Sequence, residues 1–333
     1  MIQAAAYTQR VTRNGIDYHF IDVSGLDMAA SRGRRFSSVL AEIEADILHV
    51  HGLGFAEDAF AVAQCLPELP ILFQDHADRP PRWWRRRQWR RWYACAAGLA
   101  FTAPDLARPF IAADLFGPQT RLFAIPESSS RFSLGSRAAA RAENGLHGDP
   151  CVLWVGHLNA GKDPLTVLDG VAQAASKLPG LQLWCAFASA PLLADVLQCI
   201  ERDPRLAGRV HLLGKVAHAR IQSLMRAADI FVSGSLIESC GYALLEAMAC
   251  GAMPVVTDIP SFRALTGEGR MGMLWPRGDA VKLADALCLA ATSLPPRERV
   301  RAHFDATLSF AAVGRQWSDA YAQLLGGRRE GTP

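Results

Sequence analysis

Along nearly all of its 333 residues this chain alternates short apolar runs with stretches of helical period. In the first half the runs at 18–23, 47–50, 71–74, 99–101 and 121–125 read as strands. The stretches 36–43, 55–66 and 104–113 carry apolar residues at helical spacing. The alternation restarts at 151–155 and continues with strands at 181–186, 210–213, 230–233, 254–257 and 273–275. Helices are expected at 164–176, 191–200, 219–228, 241–249 and 280–291, and 306–325 reads as a closing amphipathic helix. Strand–helix alternation of this kind predicts an α/β protein whose parallel sheets are covered by helices. Small polar residues dominate 127–150, so the chain divides into an N-terminal domain (1–135), a linker (136–150), a C-terminal domain (151–304) and a helix with tail (305–333). The expected architecture is two doubly wound, Rossmann-like halves facing a cleft, with ligands beyond the carboxyl ends of the strands.

Composition excludes several classes. Half of the residues are hydrophobic and 20% are charged, which argues against disorder. A net charge of +3 is too mild for a dedicated nucleic-acid binder, so no nucleic-acid partner is expected. The eight Cys (65, 95, 151, 185, 199, 240, 250, 288) form no C-x-x-C pair, so neither a zinc site nor a redox motif is expected. That usage suits a reducing compartment. No basic stretch followed by an apolar one opens the chain, and no apolar run approaches the ~20 residues that span a bilayer. The expected location is cytoplasmic, peripheral on the inner membrane face.

The most informative string is Ser235-Leu-Ile-Glu238-Ser239-Cys240-Gly241-Tyr242-Ala243-Leu-Leu-Glu246, between the strand at 230–233 and the one at 254–257. Glu238 precedes a helix that carries Glu246 on its early turns. Backbone N–H groups at that helix start can receive phosphate oxygens. A carboxylate beside them suits a hydroxyl-rich ligand, because it accepts hydrogen bonds from sugar or ribose. Two solvated glutamates are the blander reading of the same residues. Gly156-His157-Leu-Asn-Ala-Gly-Lys162 likewise follows a strand and precedes a helix, so the Lys162 ammonium can reach a phosphate there. Lys occurs at only four positions in the chain, against which an ordinary surface lysine is the alternative.

The Glu238–Glu246 spacing resembles the E-x7-E motif of the family 4 (group 1) retaining glycosyltransferases, which have the GT-B fold. The segments Val155 to Pro164, Leu213 to Val216 and Ala227 to Val232 are similar to that family's C-terminal domain. The resemblance implies transfer of a sugar from a nucleotide diphosphate sugar to a glycan, lipid or small-molecule acceptor hydroxyl, with retention of anomeric configuration. It implies no cofactor and no metal, and no D-x-D pair follows a strand here. By the same resemblance Glu238 would touch the donor sugar. The backbone from Ser239 through Ala243 would hold the sugar or diphosphate, Lys162 would neutralise the diphosphate, and Glu246 would bind the ribose hydroxyls. His157 stands where the family usually has Arg, which predicts weaker diphosphate neutralisation.

In the first half, Phe73-Gln74-Asp75-His76 follows a strand and is similar to the family's N-domain histidine, which faces the donor sugar. That implies a role for His76 beside Glu238. His49 and His51 are rivals, the first within a strand, the second at its end. Gly52-Leu-Gly54-Phe-Ala-Glu57 partly matches a dinucleotide fingerprint, but Glu57 replaces the third small residue. From Arg82 to Tyr93 runs an Arg- and Trp-rich segment that suits an anionic membrane surface or an acidic acceptor. A solvated helix with inward Trp residues fits it equally. The family's opening strand and Gly-rich loop have no counterpart before residues 7–23, so an incomplete N-terminal domain is expected. Two rival functions stay open: a weakly active or inactive nucleotide-sugar- or partner-binding relic, and a two-domain epimerase, which would need N-domain carboxylates.

Overall fold

A computed structural model describes residues 1–326 and divides the chain into two compact units, Met1–Glu127 with Trp317–Pro333, and Ser128–Gln316. The first unit opens with β1 (Ile2–Ala5), β2 (Gln9–Arg13) and β3 (Ile16–Asp22), a three-stranded sheet of order β1-β3-β2. Asn14 and Gly15, both at positive φ (54° and 74°), make the tight turn that joins β2 to β3. α1 (Ala29–Glu42) leads to β4 (Leu48–His51), α2 (Ala56–Cys65), β5 (Ile71–Gln74), α3 (Arg86–Tyr93), β6 (Ala96–Phe101), α4 (Arg108–Ala112) and β7 (Arg121–Ala124). β4 to β7 form a parallel sheet in chain order. Its core gathers Ile71, Phe73, Leu99, Phe101 and Phe110 around the buried Tyr93, whose hydroxyl donates to the Leu53 carbonyl at 2.9 Å.

The second unit contains α5 (Arg137–Asn144), β8 (Cys151–Val155), α6 (Pro164–Ala174), β9 (Gln182–Ala186), α7 (Leu193–Arg202), β10 (Val210–Gly214), α8 (His218–Ala227) and β11 (Ile230–Ser233). It continues through α9 (Tyr242–Ala249), β12 (Met253–Thr257), α10 (Pro260–Thr266), β13 (Met273–Trp275), α11 (Ala280–Thr292), α12 (Arg297–Thr307) and α13 (Phe310–Gly326), whose last turns belong to the first unit. The six strands are all parallel in the order β10-β9-β8-β11-β12-β13. Counted from β8, that is the doubly wound order 3-2-1-4-5-6, with its switch point between β8 and β11. One apolar core lies on each face of this sheet, as a sheet buried on both sides requires.

The α/β reading holds, and the doubly wound order appears in the second unit. The boundaries differ from the sequence-based ones. Residues 136–150 are not a linker: α5 is capped by Ser136, buries Ala140, and anchors Arg137 and Arg141 on the Asp229 carboxylate at 2.5 and 2.6 Å. The polarity that suggested a loop is spent on a cap and an ion-pair network. The crossover lies instead at Glu127–Ser128, and among the described residues the segment from 305 onward is divided between the units at Gln316–Trp317 rather than separate. Ile2–Ala5 is a strand the sequence did not suggest, paired parallel to β3. No helix among the described residues is long and apolar enough to cross a membrane.

Candidate functional site

In the second unit the switch point sets two loops side by side, one leaving β8 at Val155 and one leaving β11 at Ser233. Between them opens a cavity of about 320 Å3 lined by Gly156, His157, Lys162, Ser235, Glu238 and Glu246 together with the start of α9. The first loop turns through a short 3-10 segment at Ala160–Lys162, capped by the Asn159 side chain, which accepts from the Lys162 N–H at 3.1 Å. Asp163 then takes a left-handed conformation (φ 46°) and caps α6 from its side chain. The second loop is tied to the first by the Leu236 N–H, which donates to the Gly161 carbonyl at 2.9 Å.

This tie brings the two charged side chains together. Lys162 Nζ donates to Glu238 Oε1 in a close ion pair. The same oxygen accepts from Ser235 Oγ at 2.7 Å, and Ser235 is itself buried beside Ser233, 3.1 Å away. Neither Glu238 nor Lys162 is fully buried; 17% and 28% of their side chains stay exposed, so both can exchange partners with a ligand. Gly241 starts α9 at φ 79°, and a Cβ there would fall 2.6 Å from Phe262 Cε1. Glycine is therefore required on both backbone and packing grounds. The N-cap, Gly241, has no side chain with which to cap α9, and Gly241, Tyr242, Ala243 and Leu244 at its first turn line the cavity. A helix start open to a polar cavity favours negative charge.

Glu246 faces the same cavity one turn further on. Burial pushes its carboxyl above the ordinary range, and His218, whose Nε2 lies 2.7 Å from Oε1, pulls it part of the way back. His218 is exposed and its ring lies 5.1 Å from that of Phe132. His157 lines the cavity as expected from the sequence, with its Nδ1 accepting from the Ser189 N–H at 3.3 Å. Ser239 and Cys240 do not line it; Cys240 is fully buried in the core beneath α9. No motif marks Ser235 as the support of Glu238, or His218 as the partner of Glu246, which lies 28 residues away.

The first unit holds a separate polar cluster beyond β5. His76 Nδ1 lies 2.7 Å from the Glu127 carboxylate, and its Nε2 lies 3.3 Å from His51 Nδ1. The His51 ring stacks on His49 at 4.6 Å. His49 in turn meets the Tyr321 hydroxyl at 2.7 Å and the Trp317 ring, and burial pushes its imidazole down to about 4. Asp75 is buried, its Oδ1 accepting from the Asp78 N–H at 2.9 Å, and burial pushes its carboxyl up to about 6. Of the three histidines weighed from the sequence, His76 and His51 lie within hydrogen-bond distance of each other and His49 stacks on His51. Glu127 went unmarked, because its 51-residue separation from His76 leaves no trace in either motif. The Gly52–Glu57 segment does not open as a dinucleotide loop: the Leu53 N–H, which would face a pyrophosphate, donates to the Asp78 carboxylate at 2.8 Å. In and before α3, Trp92 and Tyr93 pack inward while Trp83 and Trp84 are exposed at 74% and 56%, so the Arg–Trp run serves core and surface together. Among the described residues no group of three or more His, Cys, Asp or Glu could hold a metal ion.

Residues 149–292 match the family described as Glycosyl transferases group 1. A D-inositol 3-phosphate glycosyltransferase of Mycobacteroides abscessus is 31% identical over 58% of this chain, a match spanning 42% of that protein. The chain thus spans under half of that relative. A GDP-mannose:cellobiosyl-diphosphopolyprenol alpha-mannosyltransferase of Xanthomonas campestris is 26% identical over 87% of this chain and 77% of its own length. Among solved structures, HepE of Anabaena in complex with UDP superposes with a TM-score of 0.72 at 18% identity, covering 87% of this chain and 82% of its own. Sucrose-phosphate synthase of Thermosynechococcus elongatus gives 0.67 at 18% identity, over 96% of this chain and 86% of its own. Both have the GT-B fold, and the likeness extends to this chain as a fold.

Proposed function

We propose, for a chain of GT-B fold whose residues 149–292 belong to the group 1 glycosyl transferases, transfer of a sugar from a nucleoside diphosphate sugar to an acceptor hydroxyl with retention of configuration. The observation that carries the reading is the switch-point cavity, where one lysine, two carboxylates and the first turn of α9 converge. The diphosphate lies against the first turn of α9, and Lys162 leaves Glu238 for a phosphate oxygen. The released Glu238 carboxylate, still held by Ser235, accepts from donor-sugar hydroxyls. Glu246 exchanges His218 for the ribose hydroxyls. As the glycosidic bond breaks, negative charge collects on the departing diphosphate, and Lys162 with the α9 amides stabilises it without a metal. The family resemblance assigns a catalytic role to His76, which Glu127 orients.

The exposed Trp83 and Trp84, set in a run of Arg residues with no acidic neighbour between Arg79 and Pro104, suit an anionic membrane surface on the cytoplasmic side. The reading is tested by thermal-shift and calorimetric screening of nucleoside diphosphates and their sugars against the full chain, followed by NMR of the anomeric centre in the product. Binding of at least one diphosphate sugar and a product of unchanged configuration are expected. Failure of every nucleoside diphosphate to bind refutes the site; an inverted product refutes retention alone.

A further inference from the structure

The contact between His218 and Glu246 joins an exposed titratable ring to a carboxylate of the cavity wall. His218 opens α8, and its Nε2 lies 2.7 Å from Glu246 Oε1. Of the imidazole 75% is exposed, against 17% of the carboxylate. The ring therefore exchanges protons with solvent freely, while the group that it binds belongs to the switch-point cavity. Phe132, buried ahead of α5, backs the imidazole with its ring tilted by 36°, an apolar neighbour that offers the nitrogens no hydrogen bond.

Charge decides how tightly this contact holds. A neutral imidazole gives Glu246 a hydrogen bond; a protonated one gives a bond in which both partners are charged, and which is markedly stronger. Histidine is the side chain whose charge ordinarily changes between about pH 5 and 8. The start of a helix is an unfavourable place for a cation, so a charged His218 depends on the counter-charge of Glu246. The other charged groups nearby are of its own sign: Lys215 stands three residues before it, and Arg220, two residues after it, is engaged by the Asn144 side chain at 3.0 Å. On α9, Glu246 also acts on Cys250, whose thiol burial pushes up to about 12 and so keeps uncharged.

We propose that His218 is a proton-operated latch on Glu246. Charged, it competes with a ribonucleotide for the carboxylate. When the ribose hydroxyls take Glu246, the ring is released and its proton passes to solvent. The latch holds below the range in which histidine titrates and slackens above it, so nucleotide affinity falls as pH is lowered through that range. Each binding event there releases part of a proton. The inference rests on the nucleotide-sugar reading for the identity of the competitor, a ribose. It adds a control by pH that inorganic pyrophosphate, which carries no ribose, does not feel.

Calorimetric titrations of the full chain with UDP, GDP and ADP, run across the histidine range in two buffers of different ionisation enthalpy, give both the affinity and the protons exchanged. At about pH 6.5, His218→Ala should bind the preferred diphosphate about three- to fivefold more tightly than wild type, and at about pH 8.5 within about twofold of it. Near about pH 6.5 the wild type should release more protons per nucleotide than the variant. Comparing the two proteins cancels the titration of the phosphates themselves, and the loss that Glu246 contributes in acid remains in both. His218→Gln keeps a donor that does not titrate and should follow the pH profile of His218→Ala. Pyrophosphate should bind wild type and variant alike at every pH. In a Glu246→Gln background His218→Ala should change nothing, because no carboxylate is left to hold. One shared pH profile and proton count, weaker nucleotide binding by His218→Ala, or an equal effect on pyrophosphate would overturn the latch and leave the diphosphate site standing. Failure of UDP, GDP and ADP alike to bind either protein would overturn the site reading, and the latch with it.

Discussion

Replacing Glu238 by Gln should tighten the binding of a nucleoside diphosphate while it impairs transfer. Lys162 is engaged by Glu238, and on the proposed reading a diphosphate takes the lysine from it. With 28% and 17% of the two side chains exposed, the pair falls between a surface bridge, worth about 0–1 kcal/mol, and a buried one. We take about 1 kcal/mol as the cost of releasing the lysine. A neutral amide holds an ammonium much less strongly, so Glu238→Gln recovers most of that cost and affinity should rise about fivefold. Lys162→Ala removes a charge-assisted bond to phosphate of about 1.5–3 kcal/mol and also removes the release cost. Its net loss is therefore about 0.5–2 kcal/mol, or about 2- to 30-fold weaker binding.

Titration calorimetry with the diphosphate identified by screening, repeated at low and moderate salt, measures both effects. The decisive variant is the double one. In the Lys162→Ala background Glu238→Gln should leave diphosphate affinity unchanged, because no lysine remains to be released, and the two single effects should fail to add. Turnover with the full donor should drop at least about tenfold in Glu238→Gln, since the carboxylate no longer meets the sugar. If Glu238→Gln weakens diphosphate binding, or tightens it equally without Lys162, the competition argued here does not exist.

Glu246→Gln should weaken nucleoside diphosphate binding about 10- to 150-fold and leave inorganic pyrophosphate binding unaltered, checked by parallel calorimetric titrations. Because burial raises the Glu246 carboxyl, acidification should weaken wild-type donor binding before ordinary glutamates titrate, and the Gln variant should lose that limb of the pH profile. Asp75 also titrates high, at about 6 against 3.8 unfolded, so the folded chain holds its proton more tightly and stability should fall as pH rises from about 4 to 6. Thermal melts of Asp75→Asn should lack this fall and exceed wild type by about 1–3 kcal/mol above pH 6; a parallel pH course in both proteins counts against it. On phosphatidylglycerol vesicles, flotation of the chain should exceed that on phosphatidylcholine and decline with salt. Neutralising Arg79, Arg82 and Arg87 to Ser should cost about 3 kcal/mol of partitioning, and equal flotation of variant and wild type would leave α3 as a solvated face.

Buried parallel strands write themselves into sequence as unbroken apolar runs, which is why Ile71–Gln74, Cys151–Val155 and Ile230–Ser233 are readable to the residue. Elements held by polar interactions were not. α5 looks like a loop until Asp229 is known to lie beneath its arginines, and β1, with Gln3 and two alanines, has no apolar run to read. The return of Trp317 and Tyr321 to His49 is equally silent, because a helix pattern does not say which unit it packs on. The same gap separates the two motifs of the cavity. Each was legible alone, the glycine-rich turn before Lys162 and the carboxylate loop around Glu238. Their meeting is a property of strand order: β11, fourth in sequence among the strands of its sheet, pairs with β8, the first. Only that pairing brings loops 76 residues apart into contact, and only then does Glu238 become the partner of Lys162.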